Sequence, residues 1–463
     1  MAEHLHLSGR EAAKIEQIAE EYEASSPLGD RETLIADSRY RFIEAVVQTS
    51  VKKVRQKGEK TWTDRIDAVV THKFWAFPVF LAMLAVMFWF TFGPIGSGLS
   101  DLLAAVIENG VEPAVRSALG GIGAAPWAVS LVCDGVIAGV GGVLTFLPMI
   151  AILFLFLSIL EDSGYMARAA FVMDRTLRHF GLSGKAFIPL LMGFGCTVPA
   201  VMGARTMENE KDRRMTIMLV PFMSCSARLP IYGLLVSAFF PGNRALIVIS
   251  LYLIGICLAI LSGLILKRSI FRGEAAPFLL ELPPYRMPTV RNVGTHVWEK
   301  VKDFLSRAAT LILAMSVVLW LLQSFTLHGQ YTTDVSQSLL AALGSAIAPL
   351  FLPCGFGVWQ AAVALLTGLI AKEAVVSSMS LFYGFSLTAS GATVALALGG
   401  TFTPVAAYAF LVFCALYTPC VAAIATIRRE MGDIKWTLAC LGWQLGMAYL
   451  ASMLVYQIGS LLF

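Results

Sequence analysis

The chain carries little charge. Only 14% of its 463 residues are Asp, Glu, Lys or Arg and 57% are hydrophobic, where a soluble domain would have about 25% charged residues. That balance excludes an ordinary soluble protein and implies a polytopic membrane protein. The charge is also uneven, since 25 of the 66 charged residues fall in residues 1–73. A short polar head therefore precedes an apolar body. The net charge of +4 indicates no nucleic-acid partner, because basic residues in such a body mark cytoplasmic loops. No apolar leader opens the head, which places it in the cytosol.

Other scarcities narrow the function. There are six His, none beside a candidate thiol, which disfavours an intramembrane thiol enzyme for want of a general base. The eight Cys include no CxxC pair, which argues against a zinc module or a disulfide framework. Cys133 and Cys354 fall near outer ends of apolar stretches, leaving an external disulfide open, while Cys257 and Cys440 read as small core or lipid-facing residues. The stretch from Gly181 to Ala186 has neither the spacing nor the hydroxyl of a phosphate-binding loop, so the chain reads as a transporter and not as a nucleotide-hydrolysing enzyme.

The body can be ordered by its basic residues. Ser8 to Glu11 has capping-box spacing and opens a charged helix; residues 25–30 end it, and an apolar stripe at helical spacing runs from Leu34 to Val54. Seven basic residues between Lys52 and Lys73 precede the first span, residues 74–96, and fix the inside. Residues 97–125 read as external with an amphipathic segment at 102–119. Residues 140–160 return inward and end at Glu161-Asp162. The apolar run 186–204 has basic residues on both sides and is interrupted by Gly193, Gly195 and Pro199, the pattern of a re-entrant hairpin opening from the cytosol. Residues 215–240 cross outward but contain Pro221, Arg228 and Pro230. An interior Pro costs a helix about 3 kcal/mol and a central Arg about 2.5–3.5 kcal/mol, so this segment must line something polar. Residues 244–266 form a span, 267–307 a basic cytoplasmic loop holding Leu282-Pro283-Pro284-Tyr285-Arg286, and 308–327 a further span. A second apolar set follows, with Lys372-Glu373 after 363–371, a break at Thr418-Pro419-Cys420 within 410–427, and a last span from Trp436.

Two of the breaks carry cysteine and are followed nine residues later by arginine: Cys196 with Arg205, and Cys420 with Arg429. Cys225 lies on a third broken element. Thiols flanked by the hydroxyls of Thr197, Ser224, Ser226 and Thr418 suit a borderline divalent metal, whereas magnesium or calcium would call for more carboxylates. Glu161, Asp162, Lys372 and Glu373 are the charged groups nearest the midplane or the inner mouth, and ionisable residues there are functional candidates by default. Arg228 is placed to pair with one of these carboxylates.

At these residues the chain resembles the membrane part of the ferrous iron transport protein B (FeoB) family. The likeness covers nearly all of residues 32–457, most specifically 161–168, 193–200, 223–232, 282–288, 371–376 and 417–430. It implies an all-α polytopic membrane protein of the bacterial cytoplasmic membrane, with two related gate halves of broken or re-entrant helices around a central segment, preceded by a short cytosolic helical head. The implied organisation is a head and linker (1–73), a first span and external segment (74–130), a first gate region (131–243), central spans with the basic loop (244–327), a second gate region (328–435) and a last span (436–463). It further implies Fe²⁺ as transported substrate, with Cys196, Cys225 and Cys420 lining its route and no permanently bound cofactor. The implied partners are the lipid bilayer, a GTPase that this sequence does not contain, a small accessory protein and a possible second copy in a homo-oligomer. The residues alone leave one nearer alternative: a sodium- or proton-coupled carrier of an organic solute using paired re-entrant hairpins.

Overall fold

The computed structural model describes residues 13–18, 31–50, 62–72, 74–179, 182–207, 209–271, 284–332, 334–385 and 391–462. The capping box at Ser8, the break at 25–30, and Leu282 and Pro283 lie outside the described residues. Regular structure within them is helical, apart from two isolated bridges, Phe325 with Tyr331 and Thr326 with Ser338. The chain divides into two compact units, residues 1–65 and 66–463. In the first, Arg31–Ser50 is one helix, and Tyr40, Phe42, Ile43, Val46 and Val47 of the apolar stripe are exposed.

In the second unit, seven helices among the described residues are long and apolar enough to cross a bilayer: Ala76–Gly121, Pro126–Asp162, Glu210–Phe239, Arg244–Ser269, Val290–Ser324, Pro404–Met431 and Ile434–Leu462. The first, at 46 residues, is more than twice the ~20 residues needed to span. It turns at Gly93, whose backbone is extended, and Pro94 starts a new helix. The external stretch is therefore helical from Pro94 on, with a π-helical turn at Ile107–Val111. Val290–Ser324 starts well before the span expected at 308; Thr289 caps it by accepting the Asn292 N–H. Its charged first turns lower the hydropathy that marked the boundary in sequence, yet the helix is continuous.

The gate halves share a plan of hairpin followed by broken span. Phe187–Gly195 and Thr197–Gly203 are separated by Cys196 in extended backbone. Gly203 comes back beside Pro189 and Met192, so the run reverses as its sequence predicted. The second half contains a hairpin of its own. Trp359–Ile370 and Ala374–Tyr383 flank Ala371-Lys372-Glu373, and the Thr367 and Ser378 hydroxyls meet at 2.9 Å across the turn. In a straight helix, residues so placed would be about 16 Å apart. Gly368 allows the close approach, since a Cβ there would strike the Tyr417 hydroxyl and Val375.

The span after each hairpin is broken. Glu210–Phe239 is interrupted by the short 3-10 turns Val220–Phe222 and Ser226–Arg228, and Pro404–Met431 by Tyr417–Cys420, between the helices Pro404–Leu416 and Val421–Met431. Pro221 and Pro230 each fall in the first turn of a new segment, where the missing N–H has no helical partner to lose. The cost expected of interior prolines is thus avoided. Lys185 and Arg205 flank the first hairpin, whereas Arg428 and Arg429 end the second broken span, the placement that an inverted repeat would give them. In this repeat the counterpart of Cys420 is Cys225, and that of Cys196 is the Lys372-Glu373 tip. The shared arginine spacing after Cys196 and Cys420 is not the repeat.

Candidate ion path at the helix breaks

The four breaks meet. Ser226 Oγ donates to the Gly195 carbonyl at 3.0 Å, joining the first broken span to the first hairpin. Lys372 Nζ donates to the Thr418 carbonyl at 2.7 Å, joining the second hairpin to the second broken span. Arg228 Nη2 reaches the Tyr417 carbonyl at 3.4 Å, from one broken span to the other. Cys196 and Cys420 pack together around Val198, Ala422 and Ala423. Unwound backbone at membrane depth needs protein or water to satisfy it, and here each break supplies partners to another.

The three thiols occupy equivalent local positions. Each immediately precedes a helical start, in extended backbone, and each is partly exposed. Cys196 lies within electrostatic reach of Cys420, Cys225 and Glu373. Among the described residues, however, no three His, Cys, Asp or Glu side chains converge closely enough to hold a metal ion. The three cysteines therefore do not make one coordination shell. Thr197, Ser224 and Thr418 are buried and Ser226 is half-buried; Ser224 Oγ shares a 2.5 Å hydrogen bond with the Tyr232 hydroxyl.

The charged candidates separate into two places. Among the described residues no carboxylate pairs with Arg228, which is only 1% exposed, although its sequence position suggested one would. Its guanidinium donates to the carbonyls of Pro221, Met223 and Tyr417, because the two helix breaks leave those oxygens without helical partners. Lys372 and Glu373 sit at the second hairpin tip, where the breaks meet. Glu161 and Asp162 are instead held by the long helix Val290–Ser324: Glu161 pairs with Lys300 at 2.9 Å and Asp162 with His296 at 3.5 Å. No local pattern marks out His296. Cys133 and Cys354 form no disulfide; both are free and buried, Cys354 against the Tyr449 carbonyl. Cys257 is exposed and Cys440 is buried, with Gln444 Nε2 3.1 Å from its sulfur.

Two ion pairs near the cytoplasmic ends have no local signature in the sequence. Arg205 grips Glu430 with Nε and Nη2, tying the first hairpin to the end of the second broken span. Arg205 was visible through its spacing from Cys196, but nothing in the sequence named its partner. Arg168, fully buried, meets both carboxylate oxygens of Asp67 and stacks on the Tyr285 ring at 4.0 Å. Burial pushes the Tyr285 phenol up to about 12, so the ring under the guanidinium stays neutral.

Comparison with known proteins agrees with this geometry. A family profile described as "Nucleoside recognition" (Gate) matches residues 143–239 and 305–434, the stretches that hold the two hairpins and their broken spans. A profile for the ferrous iron transport protein B C terminus matches residues 248–300, and one for the FeoB cytosolic helical domain matches residues 1–52. The Fe(2+) transporter FeoB of Staphylococcus aureus (strain COL) is 43% identical over 446 residues, covering 96% of this chain and 66% of that protein. The chain belongs to the FeoB family. A second FeoB, from Methanocaldococcus jannaschii, is 38% identical over 95% of this chain and 65% of its own length. An "Fe(2+) transport protein A/Fe(2+) transporter FeoB fusion protein" of Porphyromonas gingivalis is 39% identical over 94% of this chain and 56% of its length. The chain thus spans less than two thirds of these FeoB relatives. No solved structure matches. With its apolar helices, the FeoB membership makes this a multi-pass protein of the cytoplasmic membrane, and the helical-domain match agrees with a cytosolic head.

Proposed function

We propose that this chain conducts Fe²⁺ into the cell along the seam where the four breaks meet, handing the ion among Cys225, Cys420 and Cys196 with help from the hydroxyls of Thr197, Ser224, Ser226 and Thr418. The observation that carries the reading is that all three thiols stand at helix breaks packed against one another in a chain whose relatives are named Fe(2+) transporters. Thiolate and thiol sulfur suit a borderline cation. A dispersed series suits transit, because an ion held by three sulfurs at once would be slow to leave. Glu373 would draw the ion inward, and Glu161 and Asp162 would receive it near the cytoplasmic surface. No resident cofactor takes part.

Two charges crossing about 100 mV gain about 4.6 kcal/mol, enough for roughly a thousandfold concentration ratio. Nucleotide energy is then not needed to drive the ion, and a GTPase acting on this body would gate rather than pump. A GTPase would act through the helix Trp62–Val70, whose Asp67 is clamped to Arg168, and a small accessory protein would join it, as the fusion relative suggests. The rival reading, a coupled carrier of an organic solute, shares the paired hairpins but gives the thiols no work.

Proteoliposomes containing this chain alone, under an inside-negative potential, are the test. Fe²⁺ uptake that rises with the potential is expected. Uptake no faster than in empty vesicles contradicts an autonomous path.

A further inference from the structure

We infer that the Lys372 ammonium is a tethered cation that occupies the seam and must be displaced for a metal ion to pass. The inference rests on the seam being the ion's route, and assigns one residue the task of keeping it closed. Lys372 is only 2% exposed. It stands at the tip of the second hairpin, between Ile370 and Ala374, and points into the break of the second span. There its Nζ lies 2.7 Å from the Thr418 carbonyl and 3.0 Å from the centre of the Tyr417 ring. A backbone oxygen and an aromatic face are the groups with which proteins bind cations, and both stand within three residues of Cys420. The ammonium thus fills a position that is built for a cation and adjoins a proposed metal ligand.

A buried lysine is ordinarily neutralised by a carboxylate. Among the described residues none forms an ion pair with Lys372, and a second buried cation, Arg228, binds the carbonyl of the same Tyr417. The seam therefore holds two basic groups, and Glu373 is the carboxylate beside them. For a divalent cation this is a barrier. A hairpin tip can swing, however, and movement of Lys372 away from Thr418 would free the carbonyl and ring while removing the repulsion. The bland alternative is that Lys372 only satisfies the orphan carbonyl of the break. Both roles need a donor at Thr418, but only the plug needs the charge.

Lys372→Gln separates them, since a neutral amide can still donate to the Thr418 carbonyl. In proteoliposomes, Lys372→Gln is expected to raise passive Fe²⁺ flux about tenfold or more, a modest effect for removing a like charge from a low-dielectric path, and to admit Mn²⁺. Lys372→Arg, which keeps the charge, is expected to stay as tight as the parent. Flux from Lys372→Gln at or below the parent, in protein with unchanged melting temperature, overturns the inference, as does a Lys372→Arg that leaks equally. Should Lys372→Gln fail to fold, Tyr417→Leu removes the ring face from the same ammonium; raised flux supports the plug and unchanged flux overturns it. Parent flux that is indifferent to Cys225 and Cys420 would instead sink the route itself, whatever Lys372 does.

Discussion

Replacing Cys196, Cys225 and Cys420 together by Ser is expected to lower Fe²⁺ uptake by about 100-fold or more, since disturbing even the supporting shell of a metal ligand costs about 10–100-fold. Serine keeps the size and a donor at each site but exchanges a soft sulfur for a hard, neutral hydroxyl. Folding should survive, because each cysteine lies in extended backbone before a helical start and no helix interior is disturbed. Single replacements should give partial losses, as expected of successive sites and not of one shared shell. Cys257→Ser, at an exposed position within an apolar helix, should leave uptake unchanged and serves as the control. The measurement is initial ⁵⁵Fe²⁺ uptake in proteoliposomes, normalised to inserted protein. An organic-solute carrier would tolerate the triple change, so retained transport of an organic solute with no metal uptake would favour the rival.

A comparably large effect on stability is expected at a place remote from the thiols. Arg168 is fully buried, and its charge is met by Asp67 at 2.8 and 3.1 Å, by the Gly164 carbonyl at 2.9 Å and by the Tyr285 ring. Asp67→Ala leaves that guanidinium uncompensated. Breaking a buried pair from one side costs about 3–5 kcal/mol, and the lower end applies because the Asp67 side chain is 20% exposed. The expected readout is a marked fall in melting temperature in detergent. Pairing Asp67→Leu with Arg168→Met should recover most of it, since the penalty belongs to the orphaned charge and not to the missing bridge. A melting temperature unmoved by Asp67→Ala would mean that water already reaches the guanidinium. The cluster draws together the helix Trp62–Val70, the helix Tyr165–His179 and the segment after Pro284. Movement of the linker helix would thereby be felt where the first gate half begins.

How much of this was legible in the sequence depended on the range of the signal. Gly193, Gly195 and Pro199 with basic residues on both flanks foretold the first hairpin, because backbone breaks and the positive-inside rule act locally. The second hairpin leaves no such mark because its tip is Ala371-Lys372-Glu373, with no Gly or Pro at the turn, and its reversal is secured by Thr367 meeting Ser378 and by Gly368 under Tyr417. Those are contacts between segments that no local pattern encodes. The same limit explains Arg228. A buried arginine in an apolar run suggests a carboxylate partner, but the carbonyls freed by a break are equally good acceptors, and which carbonyls are free is settled only when the helices form. The partners of Glu161 and Asp162 lie about 140 positions away, on a stem whose charge disguised it as loop. Cys196, Cys225 and Cys420 were legible as candidates from chemistry and local breaks; their meeting place was not.

The central claim is that Fe²⁺ passes among these three sulfurs. Its most direct test is anomalous diffraction at the iron absorption edge from crystals of this protein loaded anaerobically with Fe²⁺. The account predicts iron within bonding distance of at least one of Cys196, Cys225 and Cys420, weakened in crystals of the matching Cys→Ser variant. Iron bound at Glu161 and Asp162 under saturating Fe²⁺, with none near any of the three thiols, would contradict it.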